Sequence, residues 1–425
     1  MKTTISMIAI LLLAAVSVKA EDLYTVSDIS VRQRWPWSKK VDIDFLVSLP
    51  PDGNPTVGVD ITVMAKDGST PLSISQSSLS GDLSLVGPGW RRIVWDPTVD
   101  YPDTTFTQFN VTLSVTRSKP TYMIVDLRKQ LGDDGFITYR YEKGVWDAAT
   151  NYNNCYYCFV MRRVPATTSD EWKAISGGKD YFVLGSPTTE YTRNSSREGP
   201  NNCRLTNDFW VSHIELGEGQ LYNAGAGSVQ SVRRAQRSYD AMRGTVAQGI
   251  NWPSTGHAVA GGSILKILRD RTGLEFDLPT EAEWEYACRA GTTTPFADGV
   301  YKETYTDADY EASMNTLGRC KTSGGTVWND PPYAYSPNAW GIFDMHGNHN
   351  EWCLDWMIDN VNAAQADPMV NPVGPPSSVG NTRAVRNGGA TYPASGCRSA
   401  ARSHVDPSNT SYGVRLVCPY TDPAQ

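Results

Sequence analysis

Sixty-two of the 425 residues are glycine (36) or proline (26). Proline removes a backbone donor and blocks helix interiors, and glycine weakens regular elements wherever it falls inside them. A chain punctuated this often cannot form a long helix or coiled coil, and its fold must consist of short elements joined by turns. Such a fold needs large apolar bodies to fill the space between loops, and the chain carries 13 Trp, 21 Tyr and 10 Phe. With 20% charged residues, it has the opposite of a disordered composition. The balance of 38 Lys+Arg against 45 Asp+Glu, a net charge of −7, argues against a nucleic-acid partner, whose binding would rest on basic patches. At ~150 residues per domain, the length suggests two or three domains.

Residues 1–20 read as an export signal. Lys2 is followed by an apolar run from Ile5 to Val18, and Ala20 precedes Glu21. The run is shorter than the ~20 residues that span a bilayer, and Ser6 and Ser17 interrupt it. No other stretch approaches that length, so an exported (periplasmic or extracellular) protein without a membrane span is expected. Cleavage removes Lys2 and Lys19 and no acid, which moves the net charge from −7 to −9. Export into an oxidising compartment favours disulfides for the eight cysteines.

Residues 21–118 alternate with period two. Val41, Ile43 and Phe45 share one strand face, as do Val57, Val59, Ile61, Val63 and Ala65, and Phe109, Val111, Leu113 and Val115. Breaks at Pro50–Pro55, Gly68, Gly87–Gly89 and Asp96–Pro97 predict antiparallel strands in a β-sandwich of immunoglobulin or fibronectin type. The cluster Arg34-Trp35-Pro36-Trp37 reads as the closing end of that core, with a sugar-stacking platform as the alternative. The block holds no titratable constellation and reads as a spacer or adhesion module.

Residues 119–157 read as a connector and residues 158–420 as a second domain. Short β-like runs (Phe159–Val164, Tyr181–Leu184, Cys203–Val211) precede a helical pattern at about Gly262–Arg271, with Ile264, Leu265, Ile267 and Leu268 on one stripe. A second helix begins at Thr280, where Glu283 completes a capping box and Trp284 and Ala287 face one side. Cys155-Tyr156-Tyr157-Cys158 has redox-motif spacing, but the bulky tyrosines favour structural bridges. No Gly-x-Ser-x-Gly elbow, Walker loop or His-Glu-x-x-His helix is present.

Several strings in this second block, taken in order, resemble the formylglycine-generating enzyme (sulfatase-modifying factor) family. They are Phe182-Val183-Leu184-Gly185-Ser186-Pro187, the run from Leu278 to Gly291, Asn338 to Asn348, Glu351-Trp352-Cys353-Leu354-Asp355-Trp356, Arg386-Asn387-Gly388-Gly389, Cys397 to Ser403, and Gly413-Val414-Arg415-Leu416-Val417. The resemblance covers roughly residues 160–419. It implies an irregular α+β fold related to C-type lectins, here preceded by the all-β sandwich.

The resemblance also implies a calcium site formed by the side chains of Asp344 and Glu351 and the carbonyls of Gly347 and His349. Calcium prefers several hard oxygen ligands from a flexible loop, which such a turn supplies. The rival reading is a zinc site made by Asp344, His346, His349 and Glu351. A second family calcium site would use Asn315 and the carbonyl of Thr316. The family pattern further implies a Cys288–Cys397 disulfide and leaves the other six cysteines unassigned.

Active family members hold copper on two cysteines between the Gly-Gly turn and the Cys-Arg-Ser string, and oxidise a substrate cysteine to formylglycine. Here the interval Ala390-Thr391-Tyr392-Pro393-Ala394-Ser395-Gly396 contains no cysteine. Copper is therefore not expected and no catalytic residue is assigned. The expectation is a non-catalytic, calcium-braced module binding an extracellular protein or glycan; the alternative is an active oxidase of a protein cysteine.

Overall fold

The computed structural model describes residues 24–422 apart from 35–36, 49–57, 107, 143–150, 152, 245–257, 322–331, 360–366, 376–379 and 387. The export segment at 1–20 and the Pro50–Pro55 break lie outside the described residues. The chain divides into two units, one comprising Met1–Pro120 with Arg140–Lys143 and the other Thr121–Tyr139 with Gly144–Gln425. Among the described residues no helix is long and apolar enough to cross a membrane.

In the first unit, alternation becomes two antiparallel sheets. One runs β1 (Thr25–Gln33), β2 (Val41–Ser48), β6 (Gly89–Trp95) and β5 (Leu79–Gly81); the other runs β4 (Thr70–Leu72), β3 (Val59–Asp67) and β7 (Phe109–Arg117). Register pairs Ile61 with Val115, Val63 with Leu113 and Ala65 with Val111, so apolar residues meet on one face. Those residues share one core with Val41, Ile43, Phe45, Ile93 and Trp95. The tryptophan at the core is Trp95, stacked on Phe109 at 5.1 Å. Trp37 is 88% exposed, so it does not close the core; Trp35 lies outside the described residues.

The second unit claims part of the expected connector. Tyr122–Asp126 forms β8, which pairs antiparallel with β10 (Cys158–Val164), Tyr122 opposite Arg162 and Asp126 opposite Cys158. Buried Tyr122, Met123 and Val125 explain this placement: the run is too short to announce itself, yet it carries apolar surface on both faces. β9 (Ile137–Arg140), β8, β10, β13 (Phe209–Ser212) and β18 (Val417–Pro419) make one sheet. Two three-stranded sheets complete the unit: β11 (Phe182–Leu184), β12 (Asn201–Arg204) and β15 (Met369–Val370), and β14 (Glu351–Trp356), β16 (Arg383–Arg386) and β17 (Arg402–Val405).

Helix α1 spans Ile264–Thr272, capped by Ser263 and terminated by Gly273 in the left-handed region. Its buried stripe is Leu265, Leu268 and Thr272, while Ile264 and Ile267 are only partly buried. Helix α2, Glu281–Arg289, begins with the expected box: Thr280 Oγ1 accepts from Glu283 N–H at 3.1 Å and Glu283 Oε2 accepts from Thr280 N–H at 2.9 Å. All nine of its residues are buried, not one face alone. Tyr286 is ringed by Trp172, Phe182 and Trp340 at 4.9–5.1 Å. Helix α3 spans Asp307–Leu317.

Candidate functional site

The loop from Asn338 to Glu351 is fastened to α2 before it reaches its charged residues. Asn338 Nδ2 donates to the carbonyls of Ala287 and Cys288 at 2.7 and 3.1 Å, and its Oδ1 accepts from Trp340 and Ile342 N–H. Asp344, Gly347 and Asn348 all have positive φ. At Gly347 a Cβ would stand 1.9 Å from the Arg319 carbonyl, so only glycine fits this approach.

Both carboxylates of the expected calcium site are engaged by arginines. Glu351 is fully buried, and Arg415 donates to both of its oxygens at 2.7–3.1 Å while Trp284 Nε1 donates to Oε2 at 2.6 Å. Three N–H donors, Arg415 Nε being shared between the two oxygens, thus hold the carboxylate. Asp344 Oδ2 takes Arg234 Nη2 at 2.8 Å. His349 turns its Nδ1 to Glu215 Oε2 at 2.9 Å, and Asn348 Nδ2 donates to Glu215 Oε1 at 3.1 Å. Burial raises the Asp344 carboxyl against the pull of Arg234. Glu215, despite its own burial, is held low by His349, Arg234 and Arg415. Guanidiniums thus stand against both carboxylates that were expected to hold a divalent cation, a pairing that does not suit calcium.

The zinc alternative fails for the same reason. His346 Nδ1 faces the Cys397 carbonyl at 2.8 Å and Nε2 accepts from Ala297 N–H at 3.1 Å. Burial pushes its pKa down to about 4, so it is a neutral imidazole spanning two loops. Among the described residues no three His, Cys, Asp or Glu side chains converge as a metal-ligand set. Asn315 and Thr316 lie within α3, and the Thr316 carbonyl accepts Ser336 N–H at 2.9 Å.

The interval after the Gly-Gly turn is short and closed. Gly388 has φ +62°, and a Cβ there would stand 2.4 Å from the Gly396 carbonyl. Ala390 N–H donates to Asn348 O, and a single 3-10 turn covers Ala394–Cys397. All eight cysteines are free and buried. The expected Cys288–Cys397 bond is not formed: Cys288 Sγ lies 3.6 Å from His346 Nε2 and 3.7 Å from Ser399 Oγ, whereas Cys397 packs with Cys320, Phe296 and Met314. The His346 ring contacts both residues, Cys288 through Nε2 and the Cys397 carbonyl through Nδ1. Burial pushes the Cys288 thiol up to about 12 and Cys158 up to about 11, and raises Cys397, Cys418, Cys203 and Cys353 as well. Cys155 sits on a single helical turn, Asn154–Tyr157, with its thiol raised by burial and donating to Tyr333 Oη at 3.7 Å.

A second feature was not anticipated from sequence. At the N-terminus of α2 opens a cleft of about 300 Å³, walled by Glu281, Asp355, Arg386, Arg402 and Arg197 and by an apolar side that includes Met369 and Val373. Glu281 is clamped by Arg386 Nε at 3.0 Å and Arg402 Nε at 2.7 Å. Asp355 Oδ2 accepts from Glu281 N–H at 2.9 Å. Burial, and then repulsion from Glu281, push the Asp355 carboxyl up to about 8. Asp355, Arg386 and Arg402 each belong to a different string of the family resemblance, and only the fold shows that the three strings meet.

The family model for the sulfatase-modifying factor enzyme 1-like domain matches residues 157–419. The formylglycine-generating enzyme of Bos taurus is 32% identical over 149 residues, 33% of this chain and 38% of that protein. The Streptomyces coelicolor formylglycine-generating enzyme is 32% identical over 155 residues, 33% of this chain and 45% of that protein. The serine/threonine-protein kinase pkn1 of Chlamydia caviae is 32% identical over 143 residues, 32% of this chain and 20% of that protein. The chain thus spans less than half the length of these curated relatives. Among solved structures, PvdO from Pseudomonas aeruginosa aligns with a TM-score of 0.44 at 22% identity, over 62% of this chain and 95% of that one. Treponema denticola variable protein 1 aligns with a TM-score of 0.39 at 19% identity, over 62% and 96%.

Proposed function

The chain belongs to the sulfatase-modifying factor enzyme 1-like family through residues 157–419, and from that premise we propose that it is an exported, non-catalytic member that works by binding. The observation that carries this reading is the thiol inventory. Copper–cysteine oxidation needs two neighbouring thiolates open to a substrate. The interval from Ala390 to Gly396 offers none, and all eight cysteines are buried. What the fold retains is the frame, braced by Arg415 on Glu351 and by Arg234 on Asp344. The N-terminal unit, read as a β-sandwich, suits an adhesion role beside it, and an extracellular protein or glycan is the partner class this combination favours. Incubating the purified protein with copper and a cysteine-containing sulfatase-type peptide under oxygen tests the reading. No aldehyde is expected; its appearance would overturn the proposal.

A further inference from the structure

The cleft at the N-terminus of α2 is polar on one side and apolar on the other. We propose that this cleft binds the carboxylate of a small apolar acid or of a peptide C-terminus, received by the carboxyl of Asp355 and the guanidinium of Arg197, which both line it. This deepens the binding reading above and rests on it.

The charge pattern selects the ligand class. The wall residues include three guanidiniums, Arg197, Arg386 and Arg402, and two carboxyl groups, Glu281 and Asp355. Glu281 is already shared between Arg386 and Arg402, and Arg386 also bonds Glu285 at 2.9 Å. A cationic ligand would meet these guanidiniums with no free carboxylate to receive it. An anion meets donors instead. The Asp355 carboxyl holds its proton at neutral pH, because burial and Glu281 outweigh Arg402, with Glu283 adding to the repulsion. Its Oδ2 is anchored by Glu281 N–H, which leaves Oδ1 as the oxygen to carry the proton. Arg197 is the outermost cation, 24% exposed and linked by Nε only to the solvent-facing Asp359 at 2.8 Å. A carboxylate entering there exchanges an exposed pair for a less hydrated one, where charge-assisted hydrogen bonds are stronger. Trp356, Met369 and Val373 supply the apolar wall for the body of the ligand, and the volume is at the lower end for small-molecule sites.

The test is titration of the full-length protein with hexanoate and benzoate, and with a short apolar peptide as the free acid and as the C-terminal amide, followed by calorimetry. Saturable binding of the acids is expected, with the amide at least about tenfold weaker. Preference between free acids and peptide distinguishes the two ligand sources. Arg197→Ala should weaken binding about tenfold. Wild-type affinity should fall above about pH 8 as Asp355 loses its proton, and Asp355→Asn, whose amide still donates, should bind with that pH dependence removed. Circular dichroism of both variants establishes that they are folded. Absence of saturable binding at millimolar ligand, equal affinity for acid and amide, or an unchanged pH profile in Asp355→Asn would overturn the inference. Those results leave the absence of oxidase activity standing, since aldehyde formation is measured separately.

Discussion

Replacing Asp355 by Asn should change how the stability of the protein depends on pH. The folded carboxyl titrates at about 8 against an ordinary value of 3.8, so between those limits the native state holds a proton that the unfolded chain has released. Stability therefore falls as pH rises through this window and levels off above it. Each unit is worth ~1.4 kcal/mol, so this group alone removes roughly 4 kcal/mol between about pH 4 and pH 7. His346 acts with the opposite sign. Its folded value of about 4 lies below the ordinary 6.5, so its contribution grows as pH rises from 4 to 6.5 and partly masks the Asp355 slope there. Asparagine keeps an oxygen to accept Glu281 N–H and carries no ionisable group, so subtracting the wild-type curve from the variant curve cancels His346 and leaves Asp355. Urea unfolding followed by tryptophan fluorescence between about pH 5 and pH 9 measures this difference. The variant should gain on wild type by ~1.4 kcal/mol per unit, with a plateau above about pH 8. Parallel curves would refute the reasoning, because they would mean that Asp355 ionises in the fold as it does in water.

The frame makes three further predictions. Arg415→Ala leaves the fully buried Glu351 carboxylate without its main partner and should cost about 3–5 kcal/mol in denaturant unfolding; because Arg415 and Trp284 engage both oxygens of Glu351, neither calcium nor EDTA should shift the wild-type melting temperature. Thr280→Ala removes the hydroxyl that accepts Glu283 N–H at 3.1 Å and should cost about 1 kcal/mol by the same assay, with Thr280→Ser recovering most of it.

Much of the architecture is legible in the sequence because its signals are local. Alternation over five to nine residues produces β2, β3 and β7, and Thr280 with Glu283 marks the start of α2 within a single turn. Tyr122–Asp126 escapes notice because it is short and buried on both faces, so no alternation shows. The carboxylates that read as calcium ligands are recognisable as loop residues, but their partners are not, since Arg234 lies 110 positions from Asp344 and Arg415 lies 64 from Glu351. Nothing in the spacing of Cys288 and Cys397 reveals that the His346 imidazole contacts both.

By itself the sequence determined the kind of chain this is. Its glycines and prolines exclude long helices, its ordered strings mark the family domain, and the interval from Ala390 to Gly396 carries no cysteine. Tertiary structure alone decided what neutralises each buried carboxylate, which thiols can meet, and that Glu281, Asp355, Arg386 and Arg402 wall one cleft. The reason is physical: periodicity and capping act through neighbours on the chain, whereas the charge state of a buried group depends on whichever distant side chains the fold places within a few ångströms of it.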